Sequence, residues 1–467
     1  MAFWHIENHP SLRLAVITDS GAGITYGDLL EYVQQIEQRI SRGDLIFILC
    51  SNNLATLAGY LACLRSGAVA LMLDVNIESS RYLELIQIYQ PAYIWCPESY
   101  SKESSVFTLV DYSLCATDAI PFSVHSDLAL LVTTSGSTGS PKLVRLSHTN
   151  LQSNACSISE YLHLSSSERP FVHLPLNYVF GLSVVNSHLL KGATLILTQY
   201  SLMQREFWHQ LAEHKATSLS GVPYTFEMLM RLRFNQNNYP SLMTLTQAGG
   251  KLVPHLHQHF AAYAQQQKMS FIVMYGAAEA TARMAWLPAE YTSDKQGAIG
   301  IAIPSGELSL VDENGVSVTQ PGVRGELIYR GPNVMLGYAT QGSDLSKGDE
   351  LKGVFQTGDI AFRDEEGFFT LVGRKKRFLK IFGNRLGLDE LETLLREHLP
   401  DYEIACSGED DKLSIFIIDE SIAERIKQYV VRLTKFHPSA IVIRLIAVMP
   451  RTASGKIQYE KLSDVTN

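Results

Sequence analysis

Short apolar runs alternate with amphipathic segments in the first part of the chain. The runs Leu45–Cys50 and 68–73 are short, apolar and bounded by turn residues, as expected of buried strands. Segment 53–65 and the segment that begins at Tyr26 carry apolar residues at helical spacing, and Thr25 stands where a helix N-cap is expected. Strands and helices that alternate in this way predict a parallel sheet covered by helices on both faces.

A different pattern begins near residue 297. Segment 297–350 contains short alternating runs separated by Glu-Asn-Gly and Pro-Gly turns, which predicts a β-rich lobe. Closer to the C-terminus, strands are expected at 413–418 and 441–448, with a helix at 422–433 between them. The predicted fold class is therefore α/β, or α+β overall. A large N-terminal domain with mixed and parallel sheets flanked by helices carries the β-rich lobe, and a small α+β domain follows.

Composition narrows the class of protein. The chain has 467 residues, 46% hydrophobic and 18% charged, with a formal net charge of −8, which suits two or more domains and argues against nucleic acid as a partner. Its 6 cysteines are scattered without a Cys-x-x-Cys pair, so neither disulfides nor a zinc site is indicated. We find no signal peptide and no apolar stretch long enough to span a membrane. These features predict a soluble, cytoplasmic protein that does not bind membranes.

The strongest candidate for chemistry follows a predicted strand at 128–132. The strand leads into a loop of glycines and hydroxyls, whose backbone N–H and side-chain O–H groups can converge on an anion. Lys142 adds a positive charge. The loop differs from the common P-loop, because Pro141 stands before the lysine and has no backbone N–H to offer a phosphate. From composition alone, an ordinary Ser/Gly-rich surface loop remains the alternative. The candidate polyphosphate-binding residues are Thr134, Ser135, Gly136, Ser137, Thr138 and Gly139.

The string TSGSTGSPK in this loop resembles the phosphate loop of the adenylate-forming (ANL) superfamily, which contains acyl-CoA synthetases, adenylation domains and luciferases. The resemblance is to the AMP-dependent acyl-CoA synthetase or acyl-AMP ligase type. It implies that ATP and Mg²⁺ activate a small carboxylic acid to an acyl-adenylate with release of pyrophosphate. The acyl group then passes to the thiol of CoA or to the phosphopantetheine arm of an acyl carrier protein.

A second informative stretch is FIVMYGAAEATAR, in which a short strand delivers Tyr275, Gly276 and Glu279. The ring of Tyr275 could stack on adenine, and the carboxylate of Glu279 could bind Mg²⁺. The alternative is that the Tyr is a core residue and the Glu is solvated. The stretch resembles the family's Tyr-Gly-x-Thr-Glu motif, with Ala278 in place of Thr and Ala277 at the variable position. Loss of one hydrogen bond to a charged group costs about 1.5–3 kcal/mol, which predicts slower adenylation rather than none.

Further nucleotide-binding residues are implied by position along the chain. Gly249 and Gly250, in LTQAGGK, permit a close approach of the backbone to a flat ligand, and the resemblance puts this loop against adenine. Asp359, in the turn FQTGD, could accept hydrogen bonds from both ribose hydroxyls. Arg374 would then hold the ribose or a phosphate through its fork of donors.

The acid pocket is expected around FVHLPLNYVFG. By resemblance, Tyr178 stands where the family has a His or aromatic residue near the substrate carboxylate. Amino-acid-activating members place an Asp just after the following Phe, whereas this chain has Gly181, so α-amino acids are disfavoured as substrates. Ala277 and Ala278 are assigned to the same pocket. Its apolar walls suggest an uncharged organic acid.

The resemblance divides the chain into an N-terminal adenylation domain, 1–374, and a small mobile domain, 375–467, which rotates about a hinge at Lys376. Gly383 and Arg385 would then face the thiol in the second half-reaction. The string PRTASGK resembles the superfamily's catalytic-lysine loop and makes Lys456 the main candidate for adenylation. The predicted catalytic residues are thus Lys456, Lys142 and Glu279, with Glu279 also the metal ligand.

Three alternatives stay open at this point. Because Ala278 replaces the usual Thr, the chain could be a non-catalytic relative that binds a nucleotide or an acyl group. Adenylation of an amino acid is a second alternative. A luciferase-like oxygenase is the third, and no feature of the sequence marks an oxygen-handling pocket.

Overall fold

Two large sheets organise most of the chain in the computed structural model, which describes residues 2–100, 105–133, 142–375, 377–381, 384–452 and 457–462. The α-helices in this part of the chain are α1 (Tyr26–Glu37), α2 (Leu54–Ser66), α3 (Ser79–Tyr89), α4 (His148–Tyr161), α5 (Val179–Leu190), α6 (Arg205–Glu213), α7 (Pro223–Arg231), α8 (Pro254–Gln267), α9 (Leu388–His398) and α10 (Ala423–Thr434).

The strands fall into two groups. Those of the first half are β1 (Leu14–Ile17), β2 (Gly23–Thr25), β3 (Leu45–Cys50), β4 (Val69–Asp74), β5 (Tyr93–Pro97), β6 (Ser105–Leu109), β7 (Tyr112–Ala116), β8 (Leu128–Thr133), β9 (Leu143–Ser147), β10 (Pro170–Val172), β11 (Leu195–Leu197) and β12 (Ser218–Gly221). Those of the second half are β13 (Thr244–Gln247), β14 (Ser270–Tyr275), β15 (Ala285–Leu287), β16 (Ala298–Ala302), β17 (Glu307–Val311), β18 (Gly325–Arg330), β19 (Gly337–Ala339), β20 (Val354–Arg363), β21 (Phe369–Arg374), β22 (Phe378–Ile381), β23 (Asn384–Gly387), β24 (Ile404–Glu409), β25 (Lys412–Ile417) and β26 (Ile441–Leu445).

The 8-stranded sheet has the order β19-β9-β8-β4-β3-β5-β7-β6. Its central strands β8, β4, β3 and β5 run parallel, as the alternating pattern predicts. Helix α1 begins where expected, because the Thr25 side chain and Asp28 cap each other's backbone N–H groups. Helix α2 is capped by Asn53, whose side chain accepts a hydrogen bond from the Thr56 N–H at 2.9 Å, and it ends at the left-handed Gly67.

The 13-stranded sheet has the order β17-β18-β20-β21-β16-β15-β14-β13-β12-β10-β11-β1-β2. Strands β11, β10, β12, β13 and β14 are parallel neighbours, and β14 to β18 with β20 and β21 form antiparallel pairs. The β-rich lobe predicted after residue 297 is therefore a continuation of the same sheet. Within this sheet, the end of β14 and the end of β21 both lie close to the middle of β20.

Residues 377–462 contain a smaller α+β unit. Strands β24, β25 and β26 form one sheet, and α9 and α10 pack on it around a core that includes Leu391, Ile415 and Ile426. The predicted strand at 441–448 ends earlier, at Leu445, because Leu445 pairs with Ile417, the last residue of the partner strand. The predicted mixed fold, with a large α/β part and a small α+β part, is confirmed.

Across the described residues, no helix has both the length and the apolar character that crossing a bilayer would need.

Candidate active site

Three strands of the 13-stranded sheet bring Tyr275, Asp359 and Arg374 together. Tyr275 ends β14, and its hydroxyl donates a hydrogen bond to Oδ2 of Asp359. Asp359 lies directly opposite Arg374 in the β20–β21 pair, and Nε of Arg374 lies 3.3 Å from Oδ1 of Asp359. The guanidinium of Arg374 is exposed, whereas the Asp359 carboxylate is largely buried. An acceptor and a fork of donors therefore sit side by side, as the binding of ribose and phosphate requires.

Burial dominates the electrostatics of this group. It raises the pKa of the Asp359 carboxyl, and the nearby Arg374 opposes this effect without cancelling it. Burial and the charge of Asp359 raise the pKa of Tyr275 well above its usual range. Tyr275 is thus a neutral donor, and the ionised form of Asp359 is held at an energetic cost that a hydrogen-bonding ligand would reduce.

A second group joins Glu279, Tyr338 and Lys142. The hydroxyl of Tyr338 donates a hydrogen bond to Oε1 of Glu279 at 2.8 Å, and Nζ of Lys142 lies 3.3 Å from the centre of the Tyr338 ring. Strand β19 carries Tyr338 beside β9, where it pairs with Val144, just after Lys142. Glu279 lies in a short 3-10 helix, Ala278–Ala280, that follows β14. Tyr338 therefore contacts Lys142 through the face of its ring and the candidate metal ligand Glu279 through its hydroxyl.

The turn after β14 is tightly packed. A Cβ added to Gly276 would lie 1.5 Å from the carbonyl oxygen of Ala282, so only glycine fits there. Ala282 itself has φ +112°, a strained conformation for a residue with a side chain. Asn333 holds the turn, since its side-chain amide donates to the carbonyls of Ala280 and Arg283 at 2.7 and 3.0 Å. These two hydrogen bonds hold the backbone that follows Glu279 in place.

The loop predicted to contact adenine lies against the predicted acid pocket. Gly249 has φ +84°, and a Cβ added there would lie 2.5 Å from the hydroxyl oxygen of Tyr178. Gln247 supports the loop by donating from Nε2 to the carbonyl oxygen of Gly250 at 2.8 Å. Tyr178 and the Gly249–Gly250 backbone are therefore neighbours, and glycine at 249 is what admits the tyrosine.

Gly181 has a different environment from a pocket wall. It lies in α5, and a Cβ added to it would lie 2.5 Å from the carbonyl oxygen of Pro175 and 2.8 Å from that of Leu174. An Asp at this position could not be accommodated without a shift of the backbone. This packing gives a physical reason for the absence of an ammonium-binding Asp. Gly181 therefore has a packing role, because backbone carbonyl groups occupy the space that a side chain would need.

Several predicted residues lie outside the part of the chain that the structure describes. They are Thr134, Ser135, Gly136, Ser137, Thr138, Gly139, Lys376, Gly383 and Lys456. The backbone of Arg385 is described and pairs with Lys380 in the β22–β23 hairpin. Ala277 and Ala278 are half-buried beside Tyr275 and pack on the same core as Tyr178.

The two ends of the lysine loop are described. Arg451 and Ile457 pair with each other, so residues 453–456 lie between them. The guanidinium of Arg451 lies over the ring of Tyr224, 5.3 Å from its centre. Tyr224 follows Pro223, whose ring carbon would lie 3.1 Å from a Cβ added to Gly250. Arg451, which precedes this loop in sequence, therefore contacts the segment that borders the adenine-loop glycines.

The site fits a magnesium–nucleotide complex in its chemistry. Among the described residues, no group of three or more His, Cys, Asp or Glu side chains could hold a metal ion alone. Mg²⁺ bound with a nucleotide takes most of its ligands from phosphates and water, so the single carboxylate of Glu279 is a sufficient protein ligand. The candidate phosphate ligand Lys142 is exposed, and both Lys142 and Glu279 contact Tyr338.

Two residues that support the candidate site were missed by the sequence analysis. Tyr338 and Asn333 occur in PNVMLGY, part of the segment for which only a β-rich lobe was predicted. Their signal is weak, since a Tyr in a short strand and an Asn in a turn are both common. Only the β9–β19 pairing, between segments distant in sequence, brings Tyr338 to Lys142.

Comparison with known proteins agrees with this geometry. The family model described as "AMP-binding enzyme" matches residues 3–339. The chain is 26% identical to a 2-succinylbenzoate–CoA ligase of Bacillus velezensis over 97% of its own length and 95% of that protein's.

Solved structures have the same fold. The O-succinylbenzoate coenzyme A synthetase of Bacillus subtilis in complex with AMP has a TM-score of 0.82 at 21% identity, covering 100% of this chain and 99% of that one. The same synthetase with ATP and magnesium ion has a TM-score of 0.80 at 23% identity, covering 99% of this chain and 100% of that one. The chain therefore belongs to the family of AMP-binding enzymes and is an ATP-dependent, AMP-forming acid–thiol ligase.

Proposed function

We propose that this ligase joins a small organic carboxylic acid to CoA, with Tyr275, Asp359 and Arg374 binding the adenosine part of ATP. The observation that carries this assignment is the contact between Asp359 and both of its neighbours. Tyr275 donates to Oδ2, and Arg374 lies 3.3 Å from Oδ1. An aromatic ring, an acceptor and a cation in mutual contact match the three parts of an adenosine phosphate.

In the first half-reaction, the carboxylate of the acid attacks the α-phosphorus of ATP and pyrophosphate leaves. Lys142 and the loop 134–139 bind the phosphates. Bound Mg²⁺ would neutralise their charge, with Glu279 as its protein ligand. Support comes from Tyr338, because it holds the Lys142 ammonium on its ring and the Glu279 carboxylate on its hydroxyl. Lys456 stabilises the charge that develops during the attack.

In the second half-reaction, the unit 375–467 turns about Lys376 and brings the segment with Gly383 and Arg385 to the site. The thiol then attacks the acyl carbonyl of the adenylate and AMP leaves. The separate core of residues 379–443 supports this motion, because a unit that buries its own apolar residues can move as a body.

The printed names of the relatives favour CoA as the thiol acceptor. A carrier-protein phosphopantetheine is the second candidate, since both molecules present the same thiol-bearing arm. We place the reaction in the cytoplasm, which the scattered cysteines without a disulfide pattern favour. The acid itself must pass Tyr178 and the Ala277–Ala278 turn.

Pyrophosphate release tests this proposal. The protein is incubated with ATP, Mg²⁺ and a panel of carboxylic acids, with hydroxylamine as the trapping nucleophile and Lys456→Ala as the control. We expect acid-dependent release that the variant loses. Nucleotide binding without acid-dependent release would overturn the proposal in favour of a nucleotide-binding relative that no longer adenylates.

The acceptor is tested next. With an active acid, the rate of AMP release is compared with CoA and with a phosphopantetheine-bearing carrier protein at equal thiol concentrations. Faster AMP release with CoA supports the assignment, and a clear preference for the carrier protein replaces it.

A further inference from the structure

One carboxylate contacts residues on both sides of the proposed hinge. Oδ2 of Asp389, in the first turn of α9, accepts a hydrogen bond from the backbone N–H of Arg374 at 3.1 Å. Its other oxygen, Oδ1, accepts from the guanidinium of Arg377. Asp389 therefore bridges the residues that precede and follow Lys376, and it holds the backbone of a candidate nucleotide-binding residue.

Lys375 and Arg377 belong by their contacts to different parts of the chain. The N–H of Lys375 donates to the carbonyl oxygen of Gly358, in β20 of the 13-stranded sheet, at 2.7 Å. Nη2 of Arg377 donates instead to Oε1 of Glu392 at 2.6 Å and to the carbonyl oxygen of Cys406 at 2.9 Å, both in the C-terminal unit (residues 377–462). This change of partners between residues 375 and 377 supports the proposed hinge.

A second contact joins α9 to the large part of the chain. Oε1 of Glu390, the residue after Asp389, lies 3.6 Å from Nη2 of Arg324, which immediately precedes β18. The side chains of Arg324 and Glu390 are 58% and 51% exposed, so this ion pair alone contributes little to stability. The Asp389 side chain is less exposed, at 26%. One helical turn thus contacts the 13-stranded sheet at two points.

A third contact between the two parts lies beside the adenine loop. The guanidinium of Arg451, in the C-terminal unit, lies over the ring of Tyr224, in α7. Arg451 belongs to the string PRTASGK, which carries the lysine proposed to act in adenylation. We therefore assign the orientation of the C-terminal unit in this structure to the first half-reaction.

We propose that Asp389 and Glu390 are positioning residues that hold the C-terminal unit in its orientation for adenylation. Their contacts with Arg374 and Arg324 would have to break before the unit can turn. The inference rests on the proposed function, because it assigns the contacts that control the change between the two half-reactions. Asp389 acts through the backbone of Arg374, whose guanidinium lies beside Asp359, so the same contact links the ribose site to the C-terminal unit.

The rates of the two half-reactions report the orientation separately. When the orientations interchange faster than either reaction proceeds, the ratio of the adenylation rate to the rate of thioester formation from preformed acyl-AMP is proportional to the ratio of the two populations. Weakening a contact that holds the first orientation therefore lowers this ratio, whichever orientation predominates. A loss of folded protein lowers both rates equally and leaves the ratio unchanged.

Exchange of the two charges tests the pair of Arg324 and Glu390. In Arg324→Glu and in Glu390→Arg, like charges face each other, and we expect the ratio to fall at least ~3-fold. The double variant has opposite charges again, and its ratio should return to within ~2-fold of that of the unmodified enzyme. Recovery cannot come from the helix terminus, because the double variant keeps the Glu390→Arg change. A double variant whose ratio falls by the product of the two single losses would overturn the inference.

Asp389 is tested against a matched acid. Asp389→Ala should lower the ratio at least ~5-fold, whereas Asp389→Asn keeps an oxygen that can accept from the Arg374 N–H and should lose less. The control is Glu424→Ala. Glu424 also lies in the first turn of a helix of the C-terminal unit, and its side chain accepts a hydrogen bond from Gln428 of the same helix at 2.8 Å. The control should leave the ratio unchanged, and an unchanged ratio in Asp389→Ala would contradict the role of Asp389.

Hydrogen exchange of the Arg374 amide provides a readout that needs no substrate. Because this N–H donates to Asp389, turning of the C-terminal unit exposes it. We expect faster exchange in Arg324→Glu and in Glu390→Arg, and slow exchange again in the double variant. Absence of pyrophosphate release with every acid in the unmodified enzyme would contradict the proposed function, and the exchange experiment would still test the contacts. Unchanged exchange in both single variants would overturn the inference.

Discussion

The hydroxyl of Tyr338 lies 2.8 Å from Oε1 of Glu279 and donates a hydrogen bond to it. Burial and the neighbouring Glu279 raise the pKa of Tyr338, so the hydroxyl keeps its proton. This bond orients the carboxylate without neutralising it. A residue with no part in the recognised motifs thus holds the candidate magnesium ligand in place.

Tyr338→Phe should therefore slow adenylation. Loss of a hydrogen bond to a charged group costs about 1.5–3 kcal/mol, which corresponds to roughly 10–100-fold in rate. The rate of pyrophosphate release is measured as a function of Mg²⁺ concentration, and we expect a higher Mg²⁺ requirement. The phenylalanine ring still lies under Lys142, so Tyr338→Leu, which removes the ring as well, should be slower than Tyr338→Phe. An unchanged Mg²⁺ requirement in both would separate Tyr338 from the metal site.

Asp359→Asn should stabilise the free protein and weaken ATP binding. Burial raises the pKa of Asp359 in the folded state, so the folded state holds this proton more tightly than the unfolded state does. The resulting penalty is absent at low pH and develops as pH rises through the raised pKa, and it is present at neutral pH. The amide has no charge to bury. We expect a higher unfolding temperature at pH 7 together with a lower affinity for ATP.

The pH dependence provides the check on Asp359. ATP affinity of the unmodified enzyme should fall as pH drops through the raised pKa, because the protonated carboxyl loses an acceptor. Over the same range, the affinity of Asp359→Asn should stay flat. A variant that is destabilised at pH 7 would show that the carboxylate contributes more to folding through Arg374 than it costs by burial.

Gly276→Ala should disrupt the turn that carries Glu279. The added carbon would lie 1.5 Å from the carbonyl oxygen of Ala282, so the backbone must move. Such overpacking costs roughly 1–3 kcal/mol or more, and adenylation should be lost with it. The control is Gly373→Ala, where the nearest atom would lie at 3.7 Å. Denaturant unfolding compares the two, and an equal, small effect would mean that the turn relaxes freely.

Ala278→Thr should accelerate adenylation. By resemblance, a threonine hydroxyl at this position contacts the α-phosphate, and the bond regained is worth roughly 10–100-fold. Ala277→Thr adds the same atoms one residue earlier and should give no gain. Single-turnover formation of the acyl-adenylate is the measurement. Equal rates for both variants would mean that the chain has compensated for the missing hydroxyl elsewhere.

Lys456→Ala should depress acyl-adenylate formation by ~10²–10³-fold, the usual loss on removing a group that stabilises developing charge. Thioester formation from a preformed acyl-AMP should change far less, since the proposed rotation of the C-terminal unit removes the lysine before that step. The two half-reactions are measured separately. Equal losses in both would contradict the assignment of this lysine to adenylation alone.

The elements that organise the fold could be read from local pattern. Helix α1 begins at Tyr26 because Thr25 and Asp28 cap it, and both residues stand next to it in sequence. Glu279 and Lys142 were likewise predicted, since each belongs to a recognisable string. Tyr338 was not, because its role depends on strand pairing between distant segments. Arg283 belongs to the recognised string FIVMYGAAEATAR. Its burial against Tyr161, Ser183 and Met274 could not be predicted, because Tyr161 and Ser183 lie in helices that are distant from it in sequence.

Glu279 follows a strand of the 13-stranded sheet, whereas Tyr338 lies on an edge strand of the 8-stranded sheet. The candidate nucleotide site is therefore complete only where the two sheets pack together. A nucleotide bound as proposed would contact both sheets and oppose their separation. Protection of backbone amides along β9 and β19 against hydrogen exchange would then rise on ligand binding, although neither strand need touch the ligand. Ligand binding would thus stabilise the contact between the two sheets that form the site.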